Sequence, residues 1–292
     1  MQLLSTPAER TSVNRCAAAS GELPGIPGYT IHRAIGVGHA AVIYLADDDR
    51  RGGKVALKVL KECGDKAGAT RRGFAAECAI LSGIRHRHVV RAIEHQANRK
   101  PCYLAMEYLA GGTLRERMRR GLSGDEAISL LRQAADGVAA VHGRALVHRD
   151  IKPENFLFRT TGDLVLADFG VVAQAGDAAS AVAPGRLIGT PCYAAPEQGQ
   201  GEPPSAAADV YSLGVMLHEM LCGFAPFRGQ SVLEVLAQHL VAPVPSLPQA
   251  LAGYQPLINR MLEKHASKRL PDADAVLQEI EPMTLGAPSA AG

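Results

Sequence analysis

The chain has 292 residues, enough for one large or two modest domains with a sizeable core. Apolar residues make up 47% and charged residues 21%, which excludes a mostly disordered chain. With 31 Lys and Arg against 29 Asp and Glu, the net charge is +2, so no global field points to nucleic acid or an anionic membrane.

Cys16, Cys63, Cys78, Cys102, Cys192 and Cys222 form no Cys-x-x-Cys clip, so neither a disulfide framework nor a zinc site is expected. Most of them are expected to pack as small hydrophobes in a reducing compartment. Met1 to Ser20 lacks an apolar core and carries Glu9, Arg10 and Arg15, unlike a secretory signal. Val210 to Leu221 is apolar but contains His218 and Glu219 and is too short to span a bilayer. These features predict a cytoplasmic protein with no membrane span and no nucleic-acid partner.

In chain order, residues 1–27 read as a flexible leader ending in the Pro24 to Gly28 cluster. Short strands follow at Tyr29 to Ile31, Ala41 to Ala46, Lys54 to Leu60 and Cys102 to Glu107, interrupted by a helix with Phe74, Cys78 and Leu81 on one face. After Gly111-Gly112 the pattern turns helical. Ser123-x-x-Glu126 is a capping-box pattern ahead of Ile128, Leu131, Ala135 and Val138. Further helices are expected over Asp209 to Cys222, closed by Gly223, and over Val232 to Val241, opened by Ser231-x-x-Glu234. The Ala/Gly/Pro-rich stretch from Pro282 reads as a frayed tail, and no internal repeat is present.

Chemistry concentrates in three places. Gly36-Val37-Gly38-His39-Ala40-Ala41-Val42 lies between two strands, either as a phosphate cradle with Ala41 in place of a third glycine or as a plain hairpin turn. Lys58 sits in the strand Val55 to Leu60 and shares a face with Ala56; a lysine there can snorkel at an edge or meet a partner. Glu77 falls within the apolar stripe of its helix, where an unpaired carboxylate is costly, and Lys58 is its natural partner.

The densest signal is Val147-His148-Arg149-Asp150-Ile151-Lys152-Pro153-Glu154-Asn155, followed by a strand–turn–strand pattern and Asp168-Phe169-Gly170. A hairpin over Phe156 to Leu166 lets Asn155 and Asp168 face one site, where hard oxygen donors suit Mg²⁺ (or Mn²⁺). Asp150 is then placed to accept a hydroxyl proton.

On these residues, together with Met106-Glu107-Tyr108, Ala195-Pro196-Glu197, Asp209 to Gly214 and Lys268-Arg269, the sequence resembles the eukaryotic-like protein Ser/Thr kinase family, in its bacterial type. The resemblance implies an α+β, bilobal protein-kinase fold over residues 28–281. It comprises a small antiparallel-sheet lobe with one helix (28–107), a hinge (107–112), a larger helical lobe (113–281), and a flexible tail (282–292). It implies that ATP phosphates meet Lys58, paired with Glu77, and a Gly-rich loop including Ile35, Gly36, Gly38 and Val42. Ala56, Met106 and the hinge from Glu107 to Leu109 would frame adenine. Asp150 would be the base, Asn155 and Asp168 the metal ligands. Lys152 and Thr190 match the Ser/Thr-specific branch, with the Thr190 hydroxyl bonded to Asp150 and Lys152. Ala41 implies slightly altered nucleotide affinity.

The implied function is transfer of the γ-phosphoryl group of ATP to protein Ser/Thr acceptors, with autophosphorylation, in signalling. Glu197 is expected to pair with Arg269, and Asp209 to support the backbone at His148-Arg149. Arg149 implies a response to a phosphate on the activation segment, for which Ser180 is the candidate, with Arg71 or Arg72 as further receivers. With no span found, regulation is expected from a partner or self-association. A small-molecule phosphotransferase and a nucleotide-binding scaffold without turnover are the alternatives; Lys152-Pro153-Glu154 and Thr190 to Glu197 speak against the first, and the intact Lys58, Asp150 and Asp168 against the second.

Overall fold

The computed structural model describes residues 23–61, 67–181 and 188–285. They fall into two compact units: the chain up to Cys78 with Ala92–Tyr108, and Ala79–Arg91 with the chain from Leu109 onward. In sequence, the later division falls after Tyr108. Cys16, Cys63, most of the expected leader and residues 286–292 of the expected tail lie outside the described residues.

The first unit is built on a five-stranded antiparallel sheet in the order β1-β2-β3-β5-β4. Its strands are β1 (Tyr29–Val37), β2 (Ala41–Asp48), β3 (Lys54–Leu60), β4 (Ala92–Gln96) and β5 (Tyr103–Glu107). Alternation in β3 sends Val55, Leu57 and Val59 into a core with Tyr29, Ala46 and Tyr103. β1 runs well beyond Ile31 because its pairing with β2 continues through two irregularities. β4 was not expected: Ala-Ile-Glu-His-Gln buries no residue fully, and only its pairing with β5 makes it a strand. Ile26 is buried in the same core and bridges to Tyr29, so ordered packing begins before residue 28.

Helix α1 (Ala67–Gly83) follows β3 and buries Phe74, Glu77, Cys78 and Leu81, the stripe read from the sequence.

In the second unit, α2 (Leu114–Met118) and α3 (Gly124–His142) come first. Ser123 caps α3 by accepting from the Glu126 amide at 3.2 Å, while the Glu126 carboxylate pairs with Arg117. β6 (Leu146–Val147) pairs with β9 (Ala173–Gln174), and β7 (Phe156–Phe158) with β8 (Leu164–Leu166). Then come α4 (Pro196–Gln200), α5 (Ala206–Cys222), α6 (Val232–Val241), α7 (Gln255–Met261) and α8 (Ala273–Leu285). α5 is buried along nearly its whole length, which explains its continuous apolar composition, and Gly223 ends it at φ 78°. α8 continues through Pro282 to Leu285, past the point where the tail was expected. Cys78 and Cys102 are buried as expected, but Cys192 is exposed and Cys222 half-buried.

Candidate active site

Residues directly opposite each other in an antiparallel sheet share a face. Lys58 lies opposite Ile43 and Leu104, and Ala56 opposite Leu45 and Met106. One face of the first unit's sheet therefore carries Lys58, Ala56, Ile43 and Met106, while Val55, Leu57 and Val59 occupy the other. Lys58 Nζ donates to Glu77 Oε1 at 2.5 Å, and both side chains are largely removed from water. The expected pair is formed.

Val42, expected at the nucleotide, lies opposite Val59, on the core face, so Ile43 is the β2 residue that shares the face of Lys58. A shift of one residue in a strand reverses its face. Adjacent β-branched residues have equal strand propensity, and only the register separates them.

Ile35 falls at a register shift between Ala34 and Gly36 and is exposed. The loop is a hairpin turn, closed by the Gly38 amide donating to Ala41 O at 2.9 Å. Glu107 ends β5 opposite Val55, and Leu109 is buried.

In the second unit, Asp209 of α5 accepts from the His148 amide at 2.7 Å, the Arg149 amide at 2.8 Å and His142 Nε2 at 3.0 Å. His142 had no signal in the sequence. Arg149 has φ 67°, and its amide bond to Asp209 helps hold this left-handed conformation. His148 is fully buried, and burial pushes its pKa below the ordinary value, so it packs as a neutral ring edge-on to Phe169.

Three donors surround the Asp150 carboxylate. Lys152 Nζ reaches Oδ2 at 2.6 Å, Asn155 Nδ2 reaches Oδ2 at 3.1 Å, and Thr190 Oγ1 donates to Oδ1 at 3.0 Å. Lys152 Nζ also donates to Thr190 Oγ1 at 2.9 Å. Gly189, at φ 100°, makes this approach possible, because a Cβ there would come within 2.6 Å of Arg149 O. Asn155 Nδ2 donates in addition to Asp150 O at 2.8 Å. The β7–β8 hairpin returns the chain so that the Ala167 amide donates to Asn155 O at 2.8 Å, placing Asp168 one residue away at φ 60°.

Around this site the buried Glu197 receives Arg269 Nη1 at 2.6 Å and Nη2 at 3.0 Å, the fork expected from the sequence. Arg149 donates to Val171 O at 2.6 Å and Ser180 O at 2.9 Å, while the Ser180 hydroxyl donates to Asp177 at 2.6 Å. Among the described residues, no helix is long and apolar enough to cross a membrane.

The protein kinase domain family matches residues 29–279. A serine/threonine-protein kinase of Corynebacterium efficiens, drp72, is 34% identical over 269 residues, covering 89% of this chain and 51% of the relative. PkaB of Streptomyces coelicolor is 36% identical over 274 residues, covering 88% and 64%. PknL of Mycobacterium tuberculosis is 34% identical over 261 residues, covering 87% and 65%. The chain therefore belongs to the protein kinase domain family, whose members use ATP and a divalent metal ion. It spans about half to two thirds of the length of these relatives.

Proposed function

We propose that this protein transfers the γ-phosphoryl group of ATP to Ser and Thr hydroxyls of protein substrates. The observation that carries the reading is the Thr190 hydroxyl, which donates to Asp150 Oδ1 while receiving Lys152 Nζ. A side-chain hydroxyl is thus a fitting partner for this carboxylate and this ammonium. Asp150 orients an acceptor hydroxyl and takes its proton as the oxygen attacks the γ-phosphorus, while the bond from that phosphorus to the bridging oxygen breaks and ADP leaves. Lys152 supplies positive charge beside the same oxygen, and Lys58, held by Glu77, is a cation suited to phosphate oxygens.

Ala56, Ile43 and Met106 offer an apolar face to the adenine ring, and the Glu107 to Leu109 backbone offers hydrogen-bonding groups. Gly36 and Gly38 have no positive φ, and a Cβ at either would meet only ordinary contacts. Folding does not demand glycine there, which fits a backbone kept open for phosphate.

Asn155 and Asp168 fit a divalent cation such as Mg²⁺ or Mn²⁺. The donor set is oxygen, and the Asn155 NH₂ is committed to Asp150, which leaves Oδ1 as its acceptor. When bound, the cation neutralises phosphate charge.

The test is phosphoryl transfer from ATP with Mg²⁺ to a generic basic protein or to the chain itself, followed by phosphoamino-acid analysis. Phosphoserine or phosphothreonine is expected, with loss of transfer in Asp150→Asn. Phosphotyrosine as the main product, or full transfer by Asp150→Asn, would overturn the reading.

A further inference from the structure

One cluster in the second unit joins four segments distant in sequence and has no role in the chemistry above. Arg115 Nε donates to Glu154 Oε1 at 2.7 Å, Nη1 to Glu219 Oε1 at 2.7 Å, and Nη2 to the Tyr193 hydroxyl. The Tyr193 hydroxyl in turn donates to Glu219 Oε2 at 2.5 Å. All three faces of the guanidinium are used, and both oxygens of Glu219 are occupied.

The cluster borders the site. Glu154 stands two residues from Lys152, and Tyr193 three residues from Thr190. Glu219 is 13% exposed and Arg115 23%, whereas Glu154 is 46% exposed and is the more accessible carboxylate of the two. Two carboxylates that grip one guanidinium form a subsite suited to a basic side chain, and here the cation in it belongs to the protein itself.

We propose that Arg115 is a specificity-determining residue, filling an acidic substrate subsite from within so that protein substrates are selected without a basic residue at that position. A substrate arginine arriving at the wild-type cluster finds Glu219 satisfied and must share Glu154 with a cation already in place, which acts against that class of substrate. With Arg115 removed, Glu154 and Glu219 are left without their guanidinium, and a substrate arginine is the chemical match. The proposal rests on the kinase reading above.

The test uses synthetic peptides with one acceptor serine, in which a single arginine is walked through the preceding five positions of an otherwise Ala-rich parent. The kcat/KM ratio of each arginine peptide to the parent is compared in wild type, Arg115→Met and Arg115→Gln. Wild type is expected to stay within about threefold of unity at every position, while both variants gain about tenfold or more at one position, through KM. Adding Glu154→Gln to Arg115→Met should abolish the gain, and Arg115→Lys should keep the wild-type profile. Fluorescence anisotropy of the same peptides, labelled and without nucleotide, reads the preference independently of turnover. Absent transfer in wild type with the binding preference intact in Arg115→Met would therefore count against the kinase reading alone. A strong arginine preference in wild type, or a flat binding profile in folded Arg115→Met and Arg115→Gln, would overturn the proposal.

Discussion

Asp209 accepts the Arg149 amide at 2.8 Å, and Arg149 at φ 67° directly precedes Asp150. The carboxylate lies on a helix more than fifty residues further along the chain, so the geometry of the proposed base depends on packing of α5. Asp209→Ala leaves His142 and two backbone amides without their acceptor. It is expected to cost about 3–5 kcal/mol of stability, measured by urea unfolding. Burial pulls the Asp209 pKa up, but the His142 bond and neighbouring charges leave it below the ordinary value. Its contribution is therefore present above the unfolded carboxylate range and lost as pH falls through the lower folded value.

Lys58→Met is expected to reduce transfer by about 10²-fold or more, since it removes a cation from a reaction governed by charge and placement. Glu77→Gln should produce a smaller loss, because the amide still accepts a hydrogen bond while the charge that restrains Lys58 is gone. Steady-state kinetics check both. Equal activity in Lys58→Met and wild type would remove Lys58 from the mechanism.

Thr190→Val should lower kcat by about 10–100-fold, with Thr190→Ser close to wild type, because the hydroxyl bridges Asp150 Oδ1 and Lys152 Nζ and a valine methyl cannot. Gly189→Ala should act in the same direction through the contact its Cβ makes with Arg149 O. A kcat comparison of the three variants tests whether the hydroxyl, rather than the bulk of the side chain, is needed.

His239 of α6 is buried between Tyr211, Phe227 and Lys264. Burial and then the nearby Lys264 charge lower its pKa from 6.5 to about 4. The unfolded chain binds a proton there between those values and the folded chain does not, so stability falls as pH drops from about 6.5 to about 4. The change is at most roughly 3 kcal/mol. Below about pH 4 both states are protonated and this contribution levels off. Urea midpoints across that window should show the slope, and His239→Gln should flatten it.

Much of the architecture was legible. β3 and α6 match the ranges read from alternation and from the Ser231 cap, because a period of two and a helix start are local properties of the chain. The apolar stripe around Glu77 announced its pairing with Lys58, since a carboxylate in such a stripe needs a cation wherever the chain goes. Asp150, Lys152, Asn155 and Asp168 could be singled out as candidates because they occupy one short run and the hairpin after it.

Tertiary structure decided what no local pattern encodes. β4 exists because β5 supplies its hydrogen bonds, and its own side chains bury too little to declare it. The choice between Val42 and Ile43 belonged to the register of β2 against β3, a relation between strands. Arg115, Glu154, Tyr193 and Glu219 carry no common spacing, and only the packing of the second unit brings their charges together. Residue type and local period determined which groups were present and on which kind of element. Which of them meet was settled by long-range packing, because hydrogen bonds and ion pairs depend on distance in space and not along the chain.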